Sequence, residues 1–188
     1  TDGSSIFSEG NKWGYFPSGA LAWRISNEGF MRESRAISDL KLRLSWGITG
    51  SQAIGAYSTL NRLFSGQTIF GGNYHPTYAP GTTLPGNLKW ESTEQTNLEL
   101  AIGILSDRFT ATIDIYHKVT YDLLNPVPMS PSVGFRQTID NVGVISNRGL
   151  EVGLNANILS GTIMWSLDSN ISFNRNRVEE LYDNQDIV

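Results

Sequence analysis

Strict alternation of apolar and polar residues recurs along most of this chain. Across residues 39–50, Leu40, Leu42, Leu44, Trp46 and Ile48 alternate with Lys41, Arg43, Ser45, Gly47 and Thr49. A period of two sends the sets to opposite faces of a β-strand, one greasy and one charged. The preceding segment carries Tyr15, Leu21, Trp23 and Ile25 on one parity and Ser18, Ala20, Ala22 and Arg24 on the other. Pro17, which lacks a ladder donor, places the start of that strand near a rim. A third strand, over residues 90–105, sets Leu98, Leu100, Ile102 and Ile104 against Gln95, Asn97, Glu99, Ala101 and Gly103. The fourth opposes Phe109, Ala111, Ile113 and Ile115 to Thr110, Thr112, Asp114 and Tyr116. The fifth opposes Leu150, Val152, Leu154, Ala156 and Ile158 to Glu151, Gly153, Asn155 and Asn157. The sixth opposes Ile163, Trp165, Leu167, Ile171 and Phe173 to Ser166, Asp168, Asn170, Ser172 and Asn174.

The links between these strands differ in a regular way. Ser106 and Asp107, and then Ser160 and Gly161, predict turns of two or three residues, whereas the links after strands two and four run to roughly twenty residues or more. All long links therefore fall at one end of the sheet. The segment 27–38, with Phe30, Met31 and Ile37, reads as a longer turn at the short-link end, and residues 175–188 as the start of another long loop. Long strands, one-sided loops and Trp or Tyr near strand ends are the pattern of an outer-membrane barrel. Apolar parities carry no charge except Glu94 and His117, each toward the long-loop end of its strand. The polar parity holds Lys41, Arg43, Glu99, Asp114, Glu151 and Asp168, which suits a wet lumen. The competing reading is a soluble β-sandwich that buries the same apolar residues in its core and binds glycans through its loops.

Composition sharpens this reading. With 39% hydrophobic and 17% charged residues, 19 glycines and 11% aromatics, the chain is all-β in character. It has no apolar run long enough for a membrane helix, but a barrel strand needs only about ten alternating residues and escapes such a scan. Cysteine is absent, which removes disulfides and thiolate chemistry, and the net charge of -4 argues against a nucleic-acid partner. Six strands cannot close around a sizeable lumen, and a bilayer does not admit open sheet edges, so more strands are expected beyond these.

Candidate chemistry is sparse. His75 and His117 are far apart in sequence and no nucleophile, base and acid form a local motif, so no enzyme activity, cofactor or metal is expected. Asp183, Asn184 and Asp186 lack the glycine and terminal glutamate of a calcium loop. The segment 52–87 is richer: Tyr57, Phe64, Phe70, Tyr74, His75 and Tyr78 stand among Gly, Asn, Thr and Gln at the long-loop end. Aromatic faces with neighbouring amides suit capture of a sugar or peptide by stacking and hydrogen bonding, or packing against a neighbouring loop. Pro126, Pro128 and Pro131 stiffen the second long loop into a rim or docking segment.

Four stretches carry a resemblance: WGYFPSGALAWRISNEGFM, LKLRLSWGITGSQAIG, LKWESTEQTNLELAIGILSDRFTATIDIYHKVTYDLL and NVGVISNRGLEVGLNANIL. In order and spacing, over residues 3–176, they resemble successive barrel segments of the SusC/RagA family of TonB-dependent outer-membrane transporters. The resemblance implies that residues 1–188 are part of a barrel of about 22 strands with a plugged lumen. It also implies a SusD-like surface lipoprotein as a lid, which the loop aromatics would touch if they do not touch substrate. Import of oligosaccharide or peptide would be powered by the TonB–ExbB–ExbD complex acting on a plug and TonB box that this chain does not contain.

Overall fold

The computed structural model describes residues 1–7, 9–31, 34, 36–52, 54–55, 63–80, 87–130, 132 and 137–181. Among these residues twelve strands run in chain order: β1 (Asp2–Gly3), β2 (Trp13–Gly14), β3 (Ser18–Arg24), β4 (Ile37–Ser51), β5 (Leu63–Phe70), β6 (Asn73–Pro80), β7 (Glu91–Ile104), β8 (Phe109–Tyr121), β9 (Leu124–Pro128), β10 (Gln137–Asn141), β11 (Val144–Ser160) and β12 (Met164–Glu180). Six of them form one antiparallel sheet in the order β12-β11-β8-β7-β4-β3. The remaining six are three two-stranded hairpins, β1 with β2, β5 with β6 and β9 with β10. All three precede a sheet strand at the long-link end.

The register converts the alternation into rows that cross the whole sheet. Trp23, Leu42, Leu100, Ile113, Val152 and Ile171 stand side by side. The adjacent row is Leu21, Leu44, Leu98, Ile115, Leu150 and Phe173. Toward the short turns the same face continues with Leu40, Ile102, Ala111 and Leu154, and ends at Leu159 opposite Trp165. Nothing among the described residues covers this face: Leu44 is 46% exposed, Ile115 53%, Leu154 53% and Phe173 59%. A soluble sandwich would hide these side chains under a second sheet. Among the described residues the buried apolar side chains are few, Phe7, Leu88 and Val127, and all lie at the long-link end.

The ends of the sheet differ as the links predict. β7 and β8 join through residues 105–108, and β11 and β12 through residues 161–163. The first turn is tight because Leu105, Ser106 and Asp107 all take positive φ, near 52°, 58° and 59°. Its backbone is held from outside, with Leu105 N donating to Ala36 O at 3.0 Å and Asp107 N to Ser38 Oγ at 2.9 Å. Ala36 closes the link between β3 and β4, which opens with a short 3-10 turn, Ile25–Asn27, and Ser38 stands at the start of β4. Arg108 ties the same end to β11 through the carbonyls of Asn157 and Ile158.

Three boundaries depart from the sequence reading. β3 occupies only Ser18–Arg24, and Tyr15 lies outside it, 77% exposed. Pro17 does mark the rim, its carbonyl accepting Ile48 N at 2.9 Å. β11 begins at Val144 and β12 runs to Glu180, so residues 175–180 are strand rather than loop. Their polarity hid this: a ladder extending past an apolar band needs no greasy face, only paired backbone. Finally, the long loops are not bare loops, since each contains a hairpin.

Candidate functional site

The polar face is the opposite side of the same sheet. Its central row is Ala22, Arg43, Glu99, Asp114, Glu151 and Ser172. Arg43 Nη1 donates to Glu99 Oε2 at 2.7 Å, and Asn97 Nδ2 to Asp114 Oδ1 at 3.3 Å. Asp114 and Glu151 face each other across β8 and β11 with no cation paired to either among the described residues. Asp168 accepts from Asn155. A shallow recess between β8, β11 and β12 is lined by Thr112, Asp114, Glu151, Gly153, Asn170 and Ser172. Gly149 exists for the neighbouring ring: a Cβ there would stand 2.6 Å from Tyr116. The result is a polar wall rich in acceptors, and among the described residues no nucleophile, base and acid come together on it.

At the long-link end, a rim of interlocked segments replaces the simple wall. Asn141 Nδ2 donates to Lys89 O and Asp122 O, each at 2.9 Å, while its Oδ1 accepts Lys89 N at 2.9 Å. One side chain therefore joins the approach to β7, the exit of β8 and the end of β10. Lys89 Nζ and Asp122 Oδ2 add an ion pair at 2.9 Å. Gly143, with φ near 96°, lets the chain turn from β10 into β11. Nearby, Trp90 packs on Phe7 and Phe16, with ring centroids 5.1 and 5.4 Å apart, and Asn11 Nδ2 reaches Leu88 O at 3.2 Å. These contacts seat the N-terminal hairpin on the rim.

Phe64, Phe70, Tyr74, His75 and Tyr78 of the first long loop lie on the hairpin β5–β6. Gly71 and Gly72, with φ near 60° and 80°, make its two-residue turn, in which both central residues need positive φ. The pairing separates the predicted site residues. Tyr74 stands opposite Ile69 and Tyr78 opposite Ser65, so the two tyrosines share one face with Gln67. Phe70 and His75 share the other, their rings edge-on with centroids 6.4 Å apart. Phe70, Tyr74 and Tyr78 are exposed. Phe64 pairs with Ala79 through its backbone. Tyr57, Asp183, Asn184 and Asp186 lie outside the described residues, as does Pro131. Pro126 and Pro128 lie in β9, opposite Ile139 and Gln137.

Sequence reasoning did not single out Asn141 or the Phe7, Phe16 and Trp90 cluster. For Asn141 a signal existed, an Asn two residues before a glycine that opens a strand, but its three partners lie 52 and 19 positions away in sequence. No local pattern foretells such a clamp.

Comparison with known proteins agrees with this geometry. A family model described as "TonB dependent receptor-like, beta-barrel" matches residues 1–187. The TonB-dependent receptor SusC of Bacteroides thetaiotaomicron is 42% identical in an alignment covering 98% of this chain and 19% of that protein. TonB-dependent receptor P26 of Formosa agariphila is 37% identical, covering 96% of the chain and 18% of its own length. Among solved structures, the RagAB peptide transporter superposes with a TM-score of 0.85 at 29% identity, over 97% of this chain and 20% of that one. The RagAB peptide importer in its open-open state superposes with a TM-score of 0.82 at 30% identity, over 96% of this chain and 20% of that one. The chain thus spans about a fifth of the length of the relatives it matches.

Proposed function

The chain belongs to the TonB-dependent receptor β-barrel family, close to SusC and RagA, and on that premise we propose that it forms part of the wall and outer rim of a nutrient importer in a Gram-negative outer membrane. The observation that carries this reading is the two-faced sheet, with apolar rows across all six strands on one side and charged rows on the other. A bilayer wants the first face and a water-filled or plugged lumen wants the second. The wall does no covalent chemistry. It bounds the path, and its acceptors keep that path wet.

The cargo class is oligosaccharide or peptide. Tyr74 and Tyr78 beside Gln67 on one face of the exposed hairpin offer stacking surfaces with an amide at hand. The opposite face, with Phe70 and His75, would pack on a SusD-like lid lipoprotein. Residues 1–188 act as one part of the barrel domain, with plug and TonB box supplied elsewhere and engaged by the TonB–ExbB–ExbD complex.

The test is purification of the intact parent from outer membranes in detergent, with mass spectrometry of what co-purifies. The expected outcome is a large, heat-modifiable barrel with a bound surface lipoprotein and trapped glycan or peptide. Recovery of the parent in aqueous buffer without detergent would overturn the importer reading.

A further inference from the structure

The apolar face ends, toward the long-link side, in a row of different chemistry. One step beyond Leu21, Leu44, Leu98, Ile115, Leu150 and Phe173 stand Gly19, Trp46, Thr96, His117, Arg148 and Arg175. These side chains share the outward parity of the lipid-facing rows, so they face away from the lumen. On β12 the outward face runs from Trp165 to Arg175, about ten residue steps that cover roughly 25 Å of height at ordinary barrel tilt, the depth of an apolar band. Arg148 and Arg175 therefore sit where hydrocarbon gives way to headgroups.

Their surroundings are short of negative charge. Arg148 and Arg175 are directly opposed across β11 and β12, both exposed, and neither forms an ion pair among the described residues. His117 flanks Arg148 on its other side. The two outward carboxylates nearby are engaged: Glu94 accepts Trp46 Nε1 at 2.7 Å, and Glu179 pairs with Arg177 Nε at 3.3 Å and accepts Ser146 Oγ at 2.6 Å. Like charges directly opposite on a sheet repel. An anion between them reverses the sign, and two guanidinium forks match a phosphate's oxygens. Immediately below lie the exposed side chains of Ile115 and Phe173, with Leu150 between them. Phosphate above and acyl contact below describe a lipid rather than a free ion.

We infer that Arg148 and Arg175 form an external binding site for a phosphorylated lipid headgroup of the outer leaflet, whose acyl chains lie on Ile115, Leu150 and Phe173. This rests on the outer-membrane reading above. The test uses the full-length parent, delipidated in detergent, with native mass spectrometry counting bound lipid A, the phosphorylated glycolipid of such leaflets. Dephosphorylated lipid A and inorganic phosphate serve as separate probes. R148Q/R175Q should lower retained lipid A about tenfold or more, given two charge-assisted contacts, while K118Q on the lumen face should leave it unchanged. R148K/R175K should restore part of it. Heat-modifiable migration verifies that each variant folds. Equal retention of lipid A by the folded R148Q/R175Q protein would overturn the site alone. Equal retention of the dephosphorylated lipid by the native protein would reduce it to a greasy contact, and displacement of lipid A by millimolar inorganic phosphate to an ion site. A parent that needs no detergent overturns the site together with the importer reading.

Discussion

Asn141 shows how a single residue holds the rim. Its amide makes three hydrogen bonds to backbone groups of two other segments, two of them exposed and the one to Asp122 O part-buried, so removing it hands those groups to water and unlinks the segments. Replacing Asn141 with Ala should cost about 0.5–1.5 kcal/mol of local stability, read as faster amide exchange at residue 89 and at 122–128 in the detergent-solubilised protein, with β8 and β11 unchanged at mid-strand. Arg43 and Glu99 make the contrasting case. Their side chains are 43% and 19% exposed, and an ion pair so close to water contributes little. The pair is part of the wet wall rather than a fastener.

At the level of single strands, the alternation has a direct physical readout. The chain has no cysteine, so nitroxide labels can be walked along β11 one introduced Cys at a time. Labels at 150, 152 and 154 should be quenched by oxygen, which concentrates in hydrocarbon, and those at 151, 153 and 155 by a water-soluble nickel chelate. At 148 the oxygen signal should fall away, since Arg148 stands beyond the apolar band. A sandwich core would shield 150, 152 and 154 from both reagents. The β5–β6 hairpin yields a second expectation. Alanine at both Gly71 and Gly72 forces L-residues into left-handed backbone, at about 1–2 kcal/mol each, so G71A/G72A should open residues 63–80 to protease while the sheet stays intact. Strand existence and facing were legible in the sequence because a sheet with one apolar and one polar face imposes period two over the long strands. Strand ends were not: beyond the band, in residues 144–149 and 175–180, apolar and polar positions no longer alternate, with Val144 beside Ile145 and Val178 alone among polar residues, and backbone pairing defines the strand. The first loop hairpin was hidden for a related reason, since its described side chains are not buried on either face. The aromatics of residues 52–87 were legible as a group, but their division between two faces depends on a register set by a Gly-Gly turn.

Across the whole molecule, the sheet is a wall with one apolar and one charged side. Val152→Arg places a cation in the middle of the apolar rows and should cost about 2–4 kcal/mol of barrel stability. Glu151→Arg, one residue away, should cost little because it faces water. Comparing the yield of heat-modifiable parent in outer membranes for the two variants measures that asymmetry, and equal loss would contradict the assignment of faces. Every neighbour in the six-stranded order is also the next sheet strand in the chain, which bears on how such a wall comes into being. Pairing can advance like a zip, each arriving strand finding its template already laid down. The entropy of closing a loop grows only logarithmically with its length, by about 0.6 kcal/mol per doubling, and hairpins inside the long links shorten the slack that must be gathered. The ornament at the rim is thus also a spool, taking up thread between one stitch of the barrel and the next.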